Sequence, residues 1–325
     1  MALGMIAAVL VAAAVMAIPA ETAPTASQVS CDGSGDAAAI SAAAGPVVEV
    51  QGTCLLEAPV RLEGGVTYIG HGATLRATVP MPALMASVGW LDDHLWTQYP
   101  HRVIGFELDG AGLAERGLVV RAWGSLIEAL YVYDVTGDGI VVSNESQNGT
   151  LLANTQVNGT IRSVRVDGVG GNGVRVVDGG NSVTDWTLQD SWIGNPGGDG
   201  VFLENAAGWQ VRNVHIYGVG GDAIDARRCY GTGIEGNYIE DFAAGQWGIS
   251  CTVQGDSSTV IAGNRVQGTT GTWIGLYGTY GVGLVAVTGN VLRGVGAGGT
   301  GIVTAKNTAS RLTVVKSGNL IDSGV

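Results

Sequence analysis

Basic side chains are scarce in this sequence, with 16 Lys and Arg against 28 Asp and Glu and a net charge of −12. An acidic surface without a basic stripe repels nucleic acid. It also disfavours a strongly anionic polysaccharide, unless a cation such as Ca²⁺ bridges the two. Charged residues make up only 14% of the chain, so uncharged polar turns must supply much of the solubility. We therefore expect no nucleic-acid partner.

Proline is also rare, with 8 residues, whereas glycine is abundant, with 54. The glycines follow no strict Gly-X-Y period, which excludes collagen. They separate short runs rich in Val and Ile. The composition therefore indicates many short strands joined by tight turns.

Residues 1–26 contain no Lys or Arg, and Leu3 to Ile18 is a continuous apolar run followed by small polar residues. The apolar run and the small residues after it favour a cleaved signal segment ahead of a single domain over residues 27–325, and hence a secreted, extracellular protein, although the Lys or Arg that usually precedes such a run is absent. The alternative is a membrane anchor, but the run of roughly 16 residues is shorter than the ~20 that span a bilayer. No other segment of the sequence is apolar enough to cross a membrane.

Only four cysteines are present, and export permits them to form disulfides. Four cysteines allow three pairings. We favour Cys31–Cys54 and Cys229–Cys251, because the members of each pair are separated by about the length of the sequence repeat described next. No CxxC or HxxxH spacing occurs, so we expect no metal site of that kind and no cofactor, Ca²⁺ excepted if the chain is a lyase.

Residues 137–322 repeat themselves about every 25 residues, each time with a Gly-rich turn, an alternating strand and a second strand. Each strand buries one face, and no connecting segment is long enough for a crossover helix. The pattern predicts an all-β parallel β-helix, since propeller blades need about 40–45 residues. The first inward ladder is Ile140, Val174, Val201, Ile224, Ile249, Ile274 and Ile302. The second is Val142, Val176, Leu203, Ala226, Cys251, Leu276 and Thr304.

Gly-Asn pairs recur late in the sequence, at Asn237, Asn264, Asn290 and Asn319. Two interpretations are open. The amides can stack and hydrogen-bond along the helix, or each Asn can occupy a left-handed turn. Both interpretations are structural.

The N-terminal part carries a resemblance to a known family. Asp36 and the run Ala37 to Ala44 predict a short helix within residues 31–44 that caps the solenoid. Together with IGHGATL and FELDGAG (Phe106 to Gly112), this stretch resembles the pectate-lyase-like superfamily of right-handed β-helices, which includes pectin lyases, polygalacturonases and phage tailspikes. The resemblance covers most of residues 31–322 and is one of architecture. It implies a right-handed coil, a groove along one outer sheet and extracellular carbohydrate chemistry, with a polysaccharide as partner.

We place this groove on the strand that follows each Gly-rich turn. Glu204, Asp225 and Arg227 cluster there on two successive coils. Two carboxylates beside an arginine can protonate a glycosidic bond and activate water, or the arginine can act in a lyase. The alternative is a Glu204–Arg227 salt bridge with Asp225 solvated. The outward ladders are Arg175, Phe202, Asp225, Ser250 and Gly275, then Val177, Glu204, Arg227, Thr252 and Tyr277.

The resemblance to polygalacturonases adds Asp199 and Asp222, which match two acidic turn positions of that family. Ala223 and Trp247 stand where the family has a second Asp and a His, which puts an inverting hydrolase of that kind in doubt. The alternative is that Asp199 and Asp222, like Asp138, only bond to backbone in Asx turns.

Aromatic residues recur on the coils and can stack on sugar rings. We expect Trp247 and Trp273 to contact sugar, with Arg175 and Tyr277 as further binding residues.

Two irregular insertions interrupt the repeat, DDHLWTQYPHR at 92–102 and Ser143 to Gly159. Each either borders the groove or is a surface loop without a role. The chain also stops without a capping segment, so we expect either a missing segment or a partner at the last coil. Two functions follow: a secreted β-helix that binds and cleaves a polysaccharide, as a hydrolase or a lyase, or a non-catalytic glycan-binding or adhesion module.

Overall fold

The structure is a computed structural model that describes residues 26–268, 272–294 and 301–322. The apolar run of the expected signal segment lies outside these residues, so that assignment stays a prediction. In the described part of the chain, no helix is both long and apolar enough to span a membrane.

Short parallel strands wind into coils with three faces, and each coil passes through face 2, face 3 and face 1 in that order. Among the described residues, face 1 is a ten-stranded sheet. Its strands are β4 Val60–Leu62, β6 Met85–Ser87, β8 Leu118–Val120, β11 Ile140–Ser143, β15 Val174–Val177, β19 Val201–Leu203, β22 Ile224–Cys229, β25 Trp247–Gln254, β28 Thr272–Tyr280 and β31 Ile302–Lys306.

Faces 2 and 3 are the two halves of one bent sheet, because β5 and β7 run across the corner between them. Face 2 contains β1 Ser27–Ser30, β2 Val47–Gln51, β5 Thr67–Ala77, β7 Arg102–Asp109, β9 Leu126–Glu128, β13 Thr160–Arg162, β17 Thr187–Gln189, β20 Gln210–Arg212, β23 Gly233–Glu235, β26 Ser258–Ala262, β29 Leu284–Thr288 and β32 Thr313–Ser317. Face 3 adds β3 Thr53–Leu56, β10 Tyr131–Tyr133, β14 Arg165–Asp167, β18 Trp192–Gly194, β21 His215–Tyr217, β24 Tyr238–Glu240, β27 Arg265–Gln267, β30 Val291–Arg293 and β33 Leu320–Ile321. The pair β12 Gln156–Val157 and β16 Val183–Thr184 lies apart from the three faces.

The core includes the two ladders that the sequence predicts, apart from Thr304, which is exposed, together with inward residues of faces 2 and 3. Ile224 pairs with Ile249, and Ile249 with Ile274, so successive coils are 25 residues apart here. Both ladders keep their predicted register on face 1. The first ladder also extends back through Leu118, Met85 and Val60. The sequence repeat did not reveal these earlier coils, because the insertion before β7 breaks their spacing.

Asparagines form a buried hydrogen-bonded stack at the corner between faces 2 and 3. Nδ2 of Asn237 donates to Oδ1 of Asn264 at 2.9 Å, and the same bond joins Asn264 to Asn290 and Asn290 to Asn319. The left-handed conformation falls on the preceding glycines, for example Gly263 with φ 66°. The stacking interpretation is therefore confirmed, and the interpretation of Asn as the left-handed residue is wrong.

Helix α1 (Asp36–Ala42) packs its buried Ile40 against the first coil and forms the expected N-terminal cap. Asp36 is not the residue that caps the helix. It lies in the first turn, and its carboxylate accepts the backbone N–H of Leu55 in β3 at 2.8 Å. A second short helix, α2 (Val88–Leu91), follows β6.

Both favoured disulfides are confirmed. Cys31 is joined to Cys54, which ties the N-terminal segment to β3. Cys229 is joined to Cys251, which links two neighbouring strands of face 1. Each bond therefore staples one coil to the next.

Candidate functional site

The outward side chains of face 1 form the ladder predicted from the sequence. Asp225 pairs with Phe202 on one side and with Ser250 on the other, so these residues follow one another coil by coil. Neighbouring strands in a sheet are about 4.8 Å apart. A linear polymer that lies along the helix axis would therefore meet one outward residue per coil. The full ladder is Arg175, Phe202, Asp225, Ser250 and Gly275.

Asp225 is held by Arg227 rather than by solvent. Nε of Arg227 donates to Oδ2 of Asp225 at 2.9 Å, and Asp225 is only 8% exposed. The guanidinium of Arg227 also lies 4.5 Å from the centre of the Phe202 ring. A register shift after Ala226 displaces Arg227 from the regular ladder. The expected alternative, a Glu204–Arg227 bridge with Asp225 solvated, is therefore wrong.

Glu204 stands apart from this group. No ion pair of Glu204 is formed among the described residues, and its charge acts instead on Asp178. Burial raises the pKa of Asp178, and the nearby carboxylate of Glu204 adds to that rise. The structure thus brings Asp225 and Arg227 together as expected but does not place Glu204 with them.

The polar turn residues before face 1 bond from coil to coil. Oδ1 of Asp199 accepts the backbone N–H of Asp222 at 2.7 Å, and Oδ1 of Asp222 accepts that of Trp247 at 2.7 Å. Asp138 accepts from Asn172 at 2.8 Å, and Asn172 accepts from Asp199 at 2.9 Å. The alternative interpretation expected backbone bonds within single Asx turns. The structure shows backbone bonds that hold successive coils together.

The glycines before Asn172, Asp199 and Asp222 leave room for the carboxylate or amide of the previous coil. A Cβ at Gly221 would lie 2.2 Å from Oδ1 of Asp199, and a Cβ at Gly171 would lie 2.7 Å from Oδ1 of Asp138. The pairs Gly171-Asn172, Gly198-Asp199 and Gly221-Asp222 are therefore the sequence signature of these bonds between coils.

Asp222 lies close enough to Asp199 and Asp225 for their charges to act on it. Burial, reinforced by the charges of Asp225 and Asp199, raises the pKa of Asp222 to about 6, although the N–H of Trp247 and the charge of Arg227 lower it. Burial also raises the pKa of Asp199, with a further contribution from Asp225. Oδ2 of Asp222 has no hydrogen-bond partner in the described part of the chain. A carboxyl group with these properties is suited to donate a proton.

The two tryptophans expected to contact sugar have different positions. Trp247 lies on the outside of face 1, where its ring covers Gly275, and a Cβ at Gly275 would be 2.5 Å from that ring. Trp273 is only 1% exposed, packs edge-on against Phe242 and donates from its ring nitrogen to the Arg293 carbonyl. The prediction that Trp273 contacts sugar is therefore wrong, because its side chain points into the core.

Tyr277 lies on the neighbouring outward ladder of face 1, opposite Thr252, and its side chain is 46% exposed. Its position allows the predicted contact with a ligand, which stays a prediction.

A cavity of about 860 Å³ opens over face 1 beside Arg175. Val141 and Arg175 lie at its base, and Trp90 forms part of a wall. Nη1 of Arg175 lies 3.2 Å from Oδ2 of Asp138, and its guanidinium is 5.8 Å from the centre of the Phe202 ring. Arg175 therefore connects the cavity to the carboxylate cluster. The charged residues of the lining are Glu115, Arg116, Asp138, Glu145 and Arg175.

The walls of the cavity are held by Arg121, a fully buried residue. Its guanidinium donates to the carbonyl oxygens of Gly89 and Thr150, each at 2.7 Å, and also to those of His94 and Asn144. Gly89 and His94 lie in the region before β7, whereas Asn144 and Thr150 follow β11. Arg121 thus joins the two insertions across the cavity.

Sequence reasoning missed Trp90, Glu115, Arg116 and Arg121. The sequence signal that could have indicated these residues was the pair of irregular insertions, because one interpretation of the insertions was that they border the groove. The second insertion does so, because Glu145 lines the cavity. Ser146, Gln147 and Gly149 of the same insertion also line it, whereas no residue of the first insertion does so among those described.

One group of three metal-ligating side chains in the described ranges has its ligand atoms within 4.8 Å of one another, namely Cys31, Asp36 and Cys54. Its two cysteines are joined in a disulfide. This group therefore offers no metal site, and the Ca²⁺ dependence expected of a lyase stays a prediction.

Comparisons with known proteins support the coil geometry. Residues 172–324, somewhat less than half of the chain, match the family model described as right handed beta helix region. A search of curated protein sequences finds no match. The fold is therefore that of a right-handed parallel β-helix. This confirms, at the level of fold, the expected resemblance to the pectate-lyase-like superfamily.

Several solved structures have a similar course of the chain. The tailspike protein of Acinetobacter baumannii phage AM24 is 13% identical with a TM-score of 0.56, over 88% of this chain and 50% of its own. The gp42 tailspike of Acinetobacter phage vb_AbaP_AS12 is 12% identical with a TM-score of 0.51, over 83% and 58%. A mannuronan C-5 epimerase A-module from Azotobacter vinelandii is 15% identical with a TM-score of 0.48, over 91% and 97%. The chain spans about half the length of the two tailspikes, and identities this low establish the fold alone.

Proposed function

We propose that this protein is a secreted β-helix that binds a polysaccharide along face 1 and hydrolyses a glycosidic bond with Asp222 as the proton donor. The observation that carries the proposal is the grouping of Asp222, whose pKa is raised to about 6, with Asp199 in the preceding turn and with Asp225 on the outer side of face 1. The cavity beside Arg175 supplies an adjoining site for part of the polymer.

The chemistry needs one protonated and one ionised carboxyl group. Asp222 donates its proton to the glycosidic oxygen as the bond to the anomeric carbon breaks. Asp225 or Asp199 removes a proton from the water that attacks that carbon, so that the products are two shorter chains with one new reducing end. Arg227 fixes the orientation of Asp225 through the hydrogen bond from Nε.

Binding is assigned to the aromatic and cationic side chains along the same face. Trp247 and Tyr277 offer surfaces for stacking on sugar rings, and Arg175 and Phe202 lie between the cavity and the carboxylates. Replacing Gly275 by Ala should displace the Trp247 ring and weaken binding, because the new Cβ meets that ring. The Gly179→Ala variant, which lies off this ladder, is the matched control, because its new Cβ would lie at an ordinary contact distance of 3.9 Å from Cδ2 of Leu151.

The test is incubation of the purified protein with neutral and acidic polysaccharides, with and without Ca²⁺. New reducing ends without unsaturated products support hydrolysis, and the Asp222→Asn variant should lose them about 10²–10⁴-fold. The Asp190→Asn variant is the control. Asp190 also accepts a cross-coil hydrogen bond, from Asn213 at 2.7 Å, but it lies at the corner between faces 2 and 3. Unsaturated products would instead show a lyase that uses Arg227.

A non-catalytic glycan-binding module is the second candidate. It is favoured by the structural part that Asp199 and Asp222 play in joining coils, and by Ala223 at the position of a second acidic residue. This candidate predicts retention on glycan arrays without product from any substrate. The appearance of shortened oligosaccharides would rule it out.

A further inference from the structure

Three aromatic side chains that the groove does not use are exposed close together. Trp96 is 65% exposed, Tyr99 is 72% exposed and Trp123 is 44% exposed. They line one cavity of about 480 Å³ with Thr97, Asn154, Thr155 and Val157. Single exposed aromatics are ordinary, but a cluster around a concave surface is typical of a binding site.

This aromatic cavity is separate from the charged cavity over face 1, since the two linings share no residue. Trp96 and Tyr99 come from the segment between α2 and β7, and Trp123 comes from the turn between β8 and β9. That turn is the corner between faces 1 and 2. The aromatic cavity therefore lies at the edge of the solenoid rather than on the carboxylate-bearing face.

The rings are carried by backbone that is fixed in place. The N–H of Thr97 donates to Oδ1 of Asn154 at 2.9 Å, and the N–H of Ala153 donates to the Leu95 carbonyl at 2.7 Å. Beside Trp123, the N–H of Gly124 donates to the Val157 carbonyl at 2.8 Å. The aromatic rings are thus presented by three segments that are hydrogen-bonded to one another. A site whose backbone is already ordered loses less entropy when a ligand binds.

The chemistry of the lining selects the class of ligand. None of the described residues that line the aromatic cavity is charged, whereas five charged residues of the described chain line the cavity over face 1. Oγ1 of Thr97 is buried and has no hydrogen-bond partner within the described residues. Asn154 and Thr155 add further uncharged polar groups. Flat rings beside uncharged donors and acceptors match a sugar, which has an apolar C–H face and a rim of hydroxyls.

We propose that Trp96, Tyr99 and Trp123 form a second saccharide-binding site, selective for an uncharged sugar ring. The rings stack on the C–H face, and the uncharged polar side chains of Asn154 and Thr155 in the lining offer hydrogen bonds to hydroxyls. This site goes beyond the proposed hydrolysis and does not require it. A polymer long enough to reach both sites would be held at two points, which raises its effective concentration at face 1.

The experiment uses the full chain labelled with 5-fluorotryptophan and observed by ¹⁹F NMR. The probes are cellohexaose, maltohexaose, mannohexaose and xylohexaose, with a galacturonic acid hexamer as the acidic comparison. At least one neutral probe should shift the resonances of Trp96 and Trp123 but leave that of Trp192, an exposed tryptophan on face 3. The affinity should not change between about 0.05 and about 0.5 M NaCl, because salt screens only charge interactions.

Variants separate this site from the groove. Trp96→Ala and Trp123→Ala should each weaken binding of the neutral probe about tenfold or more, since buried aromatic contacts carry most of the energy of such sites. Trp192→Ala and Asp222→Asn should leave it unchanged. The proposal is overturned if no neutral probe shifts Trp96, if the acidic hexamer binds more tightly, or if Trp192→Ala weakens binding as much as Trp96→Ala. If Asp222→Asn loses hydrolysis but keeps the ¹⁹F shift, the result supports both the hydrolytic role of Asp222 on face 1 and a separate saccharide site.

Discussion

Nε of Arg227 donates a hydrogen bond to Oδ2 of Asp225 at 2.9 Å, two positions earlier on the same strand. The pair sits on the outside of face 1, with the guanidinium over the Phe202 ring. The positive charge of Arg227 also opposes the rise that burial causes in the pKa values of Asp199 and Asp222. Arg227 is therefore a positioning residue for Asp225 and an electrostatic influence on the proposed proton donor.

Replacing Arg227 by Met should shift the pH dependence of hydrolysis. Without its charge the pKa of Asp222 rises further, so the activity should persist to higher pH before it falls, while kcat declines because Asp225 loses its orientation. The side chain of Arg227 is 60% exposed, but Asp225 is only 8% exposed and loses its partner, so the free energy of unfolding should fall by about 1–3 kcal/mol. The pH profile of kcat measures the shift.

Arg162→Met is the matched control for that variant, because Nη2 of Arg162 binds Glu128 at 3.0 Å on face 2. Its pH profile should coincide with that of the wild type. An unshifted profile in Arg227→Met would contradict the electrostatic influence on Asp222.

Asp222→Asn should change how stability depends on pH. The folded chain keeps the Asp222 proton up to about pH 6, whereas the ordinary pKa of the unfolded carboxyl is 3.8. The wild type therefore loses stability as pH rises through this window, and the difference between the two pKa values corresponds to about 3 kcal/mol. An amide can still accept the Trp247 N–H, so the variant should lack this loss. Urea unfolding from pH 4 to 7 measures it.

His101 changes the stability of the fold in the opposite direction over the same pH range. Burial lowers the pKa of His101 from 6.5 to about 4, so the unfolded chain binds the proton first and stability is lost as pH falls. Only the difference between the wild type and Asp222→Asn isolates the carboxyl group. If the two stability curves run parallel, the raised pKa of Asp222 is refuted.

Arg121→Met should open the charged cavity. The substitution removes a buried cation and leaves the carbonyl oxygens of Gly89 and Thr150 without its donors, which should cost about 3–5 kcal/mol. Amide hydrogen exchange over residues 144–150 should accelerate more than exchange in the face 1 strands. Arg175→Met, which loses one partly exposed ion pair, should cost less than about 1 kcal/mol. Unchanged exchange over residues 144–150 would mean that Arg121 does not hold the wall.

Asn264→Ala should destabilise the coils more than Asn319→Ala. Oδ1 of Asn264 accepts the N–H and the Nδ2 group of Asn237, and its own Nδ2 donates to Ile234 and Asn290. Leaving these buried groups without partners should lower the free energy of unfolding by about 2–4 kcal/mol. Asn319 is only partly buried, so water can replace its bonds. Equal losses in urea unfolding would contradict a stack whose strength depends on burial.

The amino-acid sequence by itself determined the coil, the register of face 1, both disulfides and the position of the asparagine stack. These follow from local rules, because a strand alternates with period two and each coil repeats the same turn before the same ladder. Ile224, Ile249 and Ile274 could therefore be placed in register from their spacing alone.

Only the tertiary structure decided what lies around that ladder. Arg227 forms its ion pair with Asp225 and not with Glu204, because a register shift in β22 displaces Arg227 from the regular ladder. The side chain of Trp273 points into the core and packs against Phe242. The spacing of the tryptophans along the sequence could not predict whether this side chain faces the core or the solvent. The charged and the aromatic cavities form where the inserted segments cross face 1 and its corner. Those segments have no period, and contacts such as that of Arg121 with Gly89 join residues 32 positions apart, which no local pattern specifies.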